Sequence, residues 1–216
     1  QLDIRSSNPT LWGPRNTGHR YQVYLPRRFI SADGTCFIEP ILRQGMESSL
    51  TSQASLATAG IALIQKCAAG TPSKGGVAKD IGGDNKLGLL LTGYRPQVQC
   101  SGRVSPTQQF RKSCQGILDT MDVTDIPQKF GPPTDPGGVD VTLPVSLKAG
   151  YLERCIITLR TTGISDEFSW LEVWEAATAI NAICIRFGKQ GKWENLGSSD
   201  RLSLEITDDS DSQARL

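Results

Sequence analysis

At 216 residues, 38% of them hydrophobic and 21% charged, the chain has enough apolar side chains to bury a core and too many to stay disordered. Six cysteines and one histidine, with no C-x-x-C pair, leave zinc, haem and iron–sulfur centres without a ligand set, so no metal or cofactor is expected. A net charge of +1 argues against nucleic acid as the main partner, and no apolar run reaches the roughly eighteen residues of a membrane helix.

Gln1 is preceded by neither Met nor a basic-then-apolar leader, so the sequence reads as the mature form of a secreted, extracellular protein. The first element signal is Trp12-Gly13-Pro14, followed by an alternating strand from Tyr21 to Leu25 that ends at Pro26. Arg15, Arg20, Arg27 and Arg28 lie among Trp12, Tyr21 and Tyr24 and form a basic and aromatic cluster that suits an anionic polysaccharide, nucleic acid or an acidic protein face; the alternative is that Arg27-Arg28 occupy a turn between strands and the aromatics are core. Cys36 opens a second strand to Leu42. Ser52 is placed to cap a helix over 53–68, which carries Cys67. Gly75, Gly76, Gly82 and Gly83 mark a loop before a closing strand, Leu87 to Leu91.

A helix over 106–121 follows, with Ser105 as its cap, Pro106 at the first helical position and Phe110, Cys114, Ile117, Leu118 and Met121 at helical spacing. From Phe130-Gly131-Pro132 to Leu143-Pro144 the chain then aligns without a gap on residues 12–26. Cys155 opens a strand as Cys36 does. Ser169 with Glu172 forms a capping box before a helix over 170–185 that carries Cys184. Gly188, Gly191 and Gly197 again precede a closing strand, Leu202 to Ile206.

This self-similarity predicts an α+β fold, a two-layer α/β sandwich with antiparallel sheet built from a duplicated β-β-α-β module. Counted from the closing strand at Leu87, the second copy reads β-α-β-β-α-β, a split βαβ or ferredoxin-like order. The expected division is module one over 1–100, without a first helix, module two over 101–207, and a disordered acidic tail over 208–216. A module lacking a covering helix would leave a sheet face bare, which a second copy of the chain or a cleaved N-terminal segment would cover. Equivalent cysteines suggest equivalent bonds: Cys36 with Cys67, Cys155 with Cys184, and the remaining Cys100 with Cys114. That is one pairing of fifteen, with six free thiols in a reducing compartment as the alternative.

Chemistry finds little purchase. His19 has no nucleophile motif beside it, and its counterpart in the second copy is Gly137. Asp166 with Glu167 and Glu172 with Glu175 sit at a helix start, where the dipole accounts for them, and Gly70 to Gly76 lacks the order of a phosphate loop. Trp170 and Trp193 flank the loops of module two and join Trp12 and the arginines as candidate binding residues.

Phe130-Gly131, Leu143-Pro144, Cys155, Phe168-Ser169-Trp170, Ala176-Ala177 and Cys184 together resemble small secreted cysteine-containing proteins of filamentous fungi. The resemblance spans residues 105–207 and, less closely, 12–95. It implies an effector-type protein, with a fold like the α/β sandwich of KP6-like killer toxins. The expected function is therefore a non-enzymatic, toxin-like virulence or interaction factor that binds an extracellular protein or polysaccharide. A carbohydrate-binding or hydrolase-inhibiting module, and a hydrolase with a carboxylate pair, are the alternatives.

Overall fold

Apolar residues at every second position make strands out of Cys36–Leu42 and Leu87–Gly93, and these two pair in antiparallel register from Cys36 opposite Gly93 to Leu42 opposite Leu87. They are the centre of the first of two units, Gln1–Arg95 and Pro96–Leu216. The computed structural model describes residues 4–31, 33–68, 75–93, 96–104, 108–148 and 154–209, except the side chains of 67 and 68.

Unit one contains β1 (Pro9–Pro14), β2 (Val23–Leu25), β3 (Phe29–Ile30), β4 (Cys36–Leu42), β5 (Ser49–Ser52), α1 (Gln53–Leu63), a π-helical turn (Ile64–Ala68), β6 (Gly76–Ile81) and β7 (Leu87–Gly93). Its main sheet has the order β3-β4-β7-β6, and a small sheet has the order β2-β1-β5. Helix α1 starts at Ser52, whose hydroxyl accepts from the Ser55 amide, as expected of an N-cap. It packs on β6 and β7 and closes a core of Trp12, Leu25, Leu56, Leu63, Ile81, Leu87, Leu89 and Leu91.

Unit two contains β8 (Val98–Ser101), α2 (Gln108–Thr120), β9 (Gln128–Gly131), β10 (Val141–Thr142), β11 (Val145–Lys148), β12 (Cys155–Thr161), β13 (Asp166–Phe168), α3 (Trp170–Ile183), a 3-10 turn (Ile185–Phe187), β14 (Gln190–Leu196) and β15 (Leu202–Asp208). The main sheet runs β11-β12-β15-β14-β8 and the small one β10-β9-β13. Helices α2, on β11 and β12, and α3, on β14 and β15, pack side by side. Ser169 and Glu172 form the capping box of α3 in full, and the Trp174 indole nitrogen donates to the Leu118 carbonyl at 3.2 Å, tying α3 to α2. Residues Ser105 and Pro106, expected to start α2, lie outside the described residues.

Several expectations are corrected. The glycine-rich stretches contain strands β6 and β14; each hairpin turns at a glycine, Gly82 and Gly197, with φ of 86° and 88°. Strand β7 does not join the second unit to complete a ferredoxin-like order. Leu87, Leu89 and Leu91 are at most 2% exposed within unit one, and β15 fills the slot between β12 and β14. In each unit a helix thus joins two parallel strands with a third between them, β4-α1-β6 around β7 and β12-α3-β14 around β15. Val98–Ser101 pairs with β14 and belongs to unit two. Asp208 is no part of a tail: it ends β15, is 1% exposed and meets Arg154 at 2.8 Å.

The disulfides also differ from expectation. Cys100 bonds Cys184 and Cys114 bonds Cys155, while Cys36 is a free thiol, so neither Cys155–Cys184, Cys100–Cys114 nor Cys36–Cys67 forms. Topology supplies the reason. Cys155 lies on β12, and Cys184 packs at Gly191 of β14. With β15 between them the strands stand about 9 to 10 Å apart, beyond the reach of a disulfide. As for Cys36–Cys67, Cys36 is free, and the side chain of Cys67 lies outside the described residues.

Candidate binding surface

Trp12 anchors this surface without being part of it. Its ring is 1% exposed, and its indole nitrogen donates to the Thr51 carbonyl at 2.8 Å, so it is core rather than the contact residue expected. Beside it, a Cβ at Gly13 would fall on the Tyr21 ring, which is why that position is glycine. Tyr21 lies flat against the β1 backbone and meets Tyr24 edge-to-face at 5.9 Å and His19 at 6.2 Å. The result is a row of three rings, two half-buried and His19 exposed, with exposed Arg20 between His19 and Tyr21.

The arginines divide by role. Arg15 is 8% exposed and closes the base of the loop, its guanidinium donating to the Pro26 carbonyl at 3.2 Å and its amide to the Leu25 carbonyl. Arg28 forms an ion pair with Glu39 at 2.6 Å and stacks 4.1 Å from the Phe37 ring. Both therefore hold the loop in place. Arg27 lies 5.9 Å from the centre of the Phe29 ring and is half-buried, leaving Arg20 as the fully exposed member of the four. In unit two, Trp170 packs edge-to-face on Phe130 at 5.4 Å, and Trp193, on β14 rather than in a loop, packs against the core. Both keep a partly exposed face.

Two of the four candidate carboxylates, Glu172 and Asp166, are held by nearby amides and hydroxyls. Glu172 accepts from the Ser169 amide at 2.8 Å and hydroxyl at 2.7 Å. Asp166, 4% exposed, accepts from the Ser198 hydroxyl at 2.8 Å, and from the amides of Glu167, Ser199 and Arg201. Burial raises its pKa, and these donors outweigh it, leaving the group below its ordinary value of 3.8. A Cβ at Gly197 would strike this carboxylate, so the whole β14–β15 turn is wrapped around it.

Unit one holds the matching turn with the partners exchanged. Asp84, on the β6–β7 turn, accepts from the Ser49 hydroxyl at 2.9 Å and from the Leu50 and Lys86 amides. Counted from the helix caps, Ser49 stands where Asp166 does; counted from Gly82 and Gly197, Asp84 stands where Ser199 does. Another carboxylate cluster went unread in the sequence. Asp135 accepts from Lys129 Nζ at 2.9 Å, the Gly137 amide and Ser165 Oγ, which lowers its pKa to about 2, with the Ser165 bond the largest cause. The Pro132-Pro-Thr-Asp-Pro-Gly-Gly138 turn was the available signal.

Among the described residues no group of three or more His, Cys, Asp or Glu could hold a metal ion, and no helix is long and apolar enough to cross a membrane. No family model, curated protein or solved structure matches the chain.

Proposed function

We propose that the chain is a secreted, non-enzymatic interaction protein, built from two copies of one module, that binds an extracellular partner through the loop of unit one bearing His19, Arg20, Tyr21 and Tyr24. The observation that carries this reading is the row of rings in edge-to-face contact, with exposed Arg20 next in sequence, on a loop fixed at its base by Arg15. Tyrosines held edge-to-face lose little conformational entropy on binding, and arginine adds charge and directional donors. A protein with an acidic patch is the partner this chemistry fits, in keeping with the effector-like role that the sequence resemblance implies.

Support for the duplication comes from the identical succession β1–β5, α1, β6, β7 and β9–β13, α3, β14, β15. Left-handed residues recur at matching places in the two last hairpins: Asp80, Gly82 and Asn85 against Asn195, Gly197 and Asp200. In both units a carboxylate ties this turn to the strand before the helix, Asp84 through the Ser49 hydroxyl and Asp166 through the Ser199 amide and the Ser198 hydroxyl. Secretion is supported by the two disulfides of unit two.

Binding of the purified chain to extracellular protein fractions and to a polysaccharide panel tests the reading. Replacing Arg20 and Tyr24 together by Ala is expected to weaken the strongest interaction at least tenfold while thermal unfolding is unchanged. Undiminished binding would refute the assignment of the surface. A polysaccharide as the preferred partner would favour the second reading, a carbohydrate-binding module, since tyrosine faces also stack on sugar rings. Turnover of a glycan that disappears on Glu172→Gln, with the fold intact, would replace both with a hydrolase.

A further inference from the structure

In unit two, α2 covers the inner face of β12. Cys155, Ile157 and Leu159 are at most 1% exposed there, with Cys114 of α2 bonded to Cys155. The α3 face turned to α2 includes Trp174, which donates to Leu118, and one and two turns on, Thr178 and Asn181. In unit one the matching positions are Cys36 and Ile38 on β4, and Ala57, Ile61 and Ile64 on α1 and its π-helical extension. Among the described residues unit one has no counterpart of α2: α1 packs on β6 and β7 and meets β4 where Gly60 approaches Ile38. Cys36 and Ile38 are accordingly half-buried, and Ile61 and Ile64 are 56% and 47% exposed. Isoleucines at these two places, where unit two carries Thr and Asn, make the face apolar on both of its walls.

We infer that this face receives a strand–helix segment of a second polypeptide, of the kind Val98–Thr120 forms in unit two, with a cysteine on the helix bonded to Cys36. The inference rests on the equivalence of the two units and not on the loop surface. In the sequence Cys67 holds the place of Cys184, so a strand cysteine fourteen residues before the helix cysteine, the spacing of Cys100 and Cys114, is the expected partner of Cys67. Disulfide exchange forms the bond: the Cys36 thiolate attacks glutathione disulfide and releases one glutathione thiol. The helix cysteine then attacks Cys36 Sγ in the mixed disulfide and releases the second. A free thiol beside a bare apolar face is otherwise a liability in an oxidising compartment.

The test uses the 216-residue chain with unit two's disulfides intact, a glutathione redox buffer, and as probe a synthetic peptide with the sequence of residues 96–121. Peptide mapping without reduction is expected to find Cys36 joined to the probe cysteine that corresponds to Cys114 at least tenfold more often than to the one that corresponds to Cys100. Ile61→Asp, at a position 56% exposed, is expected to abolish that preference while shifting the unfolding midpoint little. Equal reaction of both probe cysteines, a Cys36–Cys67 bond, or a Cys36–Cys36 dimer would each overturn the inference. The loop variants Arg20→Ala and Tyr24→Ala are expected to leave this exchange unaffected, so the two readings fail separately.

Discussion

Exchange of one carboxylate and one hydroxyl across the β14–β15 turn tests how closely the units correspond. Asp166→Ser removes the acceptor of the Glu167, Ser199 and Arg201 amides and of the Ser198 hydroxyl. With some of these donors recovered by water, the cost is about 3 kcal/mol. Ser199→Asp alone sets a second carboxylate against the buried one and costs about 2 kcal/mol through like-charge repulsion and desolvation. Together, Asp166→Ser and Ser199→Asp recreate the Ser49/Asp84 arrangement, in which the turn carboxylate accepts from the strand hydroxyl and from the Leu50 and Lys86 amides. The double variant is therefore expected to lose only about 1 to 2 kcal/mol, a coupling of roughly 3 to 4 kcal/mol where independent sites add to within about 0.5. Urea unfolding of the parent, both single variants and the double measures it. Additive losses would refute the equivalence of the two turns. The parent's contribution from Asp166 is present above the ordinary carboxylate pKa and fades as pH falls through its lowered folded value.

Two further predictions concern unit two. Mapping without reduction is expected to recover Cys100–Cys184 and Cys114–Cys155, and replacing Cys114 and Cys155 together by Ser is expected to lower stability by about 4 kcal/mol, the loop-closure value for their separation of 41 residues; no change in urea midpoint would show that α2 is held by packing alone. Asp135, its pKa lowered to about 2 by Ser165, Lys129 and Gly137, is expected to titrate there by carboxyl NMR. Its stabilising effect is full above about 3.8 and is lost as pH falls through about 2. Asp135→Asn should remove that part of the acid dependence, and a titration near 3.8 would contradict the bonding seen at this turn.

Local rules made much of this fold legible. Ser52, Ser169 and Glu172 mark helix starts because capping is decided by residues within one turn of each other. Cys36–Leu42 and Leu87–Leu91 show as apolar runs and Leu202–Ile206 as strict alternation, and the gapless match of residues 12–26 to 130–144 exposes the relation of the units. What the residues could not announce were β6 and β14, masked by glycine and charge: β6 is an edge strand paired with β7 alone, and β14 is held between β15 and β8, so backbone pairing rather than side-chain pattern defines both. The basic cluster was likewise visible as a composition, but only packing separates Arg15 and Arg28, which brace the loop, from Arg20, which faces water.

The disulfides draw the sharpest line. Sequence determined that the cysteines occupy equivalent places in two related modules, because spacing from caps and strand starts is a one-dimensional property. Which sulfur meets which was decided by sheet order: β15 lies between β12, which carries Cys155, and β14, on which Cys184 packs, and no local pattern records which strand inserts between two others. Tertiary structure alone therefore ties Cys155 to α2 and Cys184 to β8. By the same geometry it leaves Cys36 of unit one without its equivalent partner.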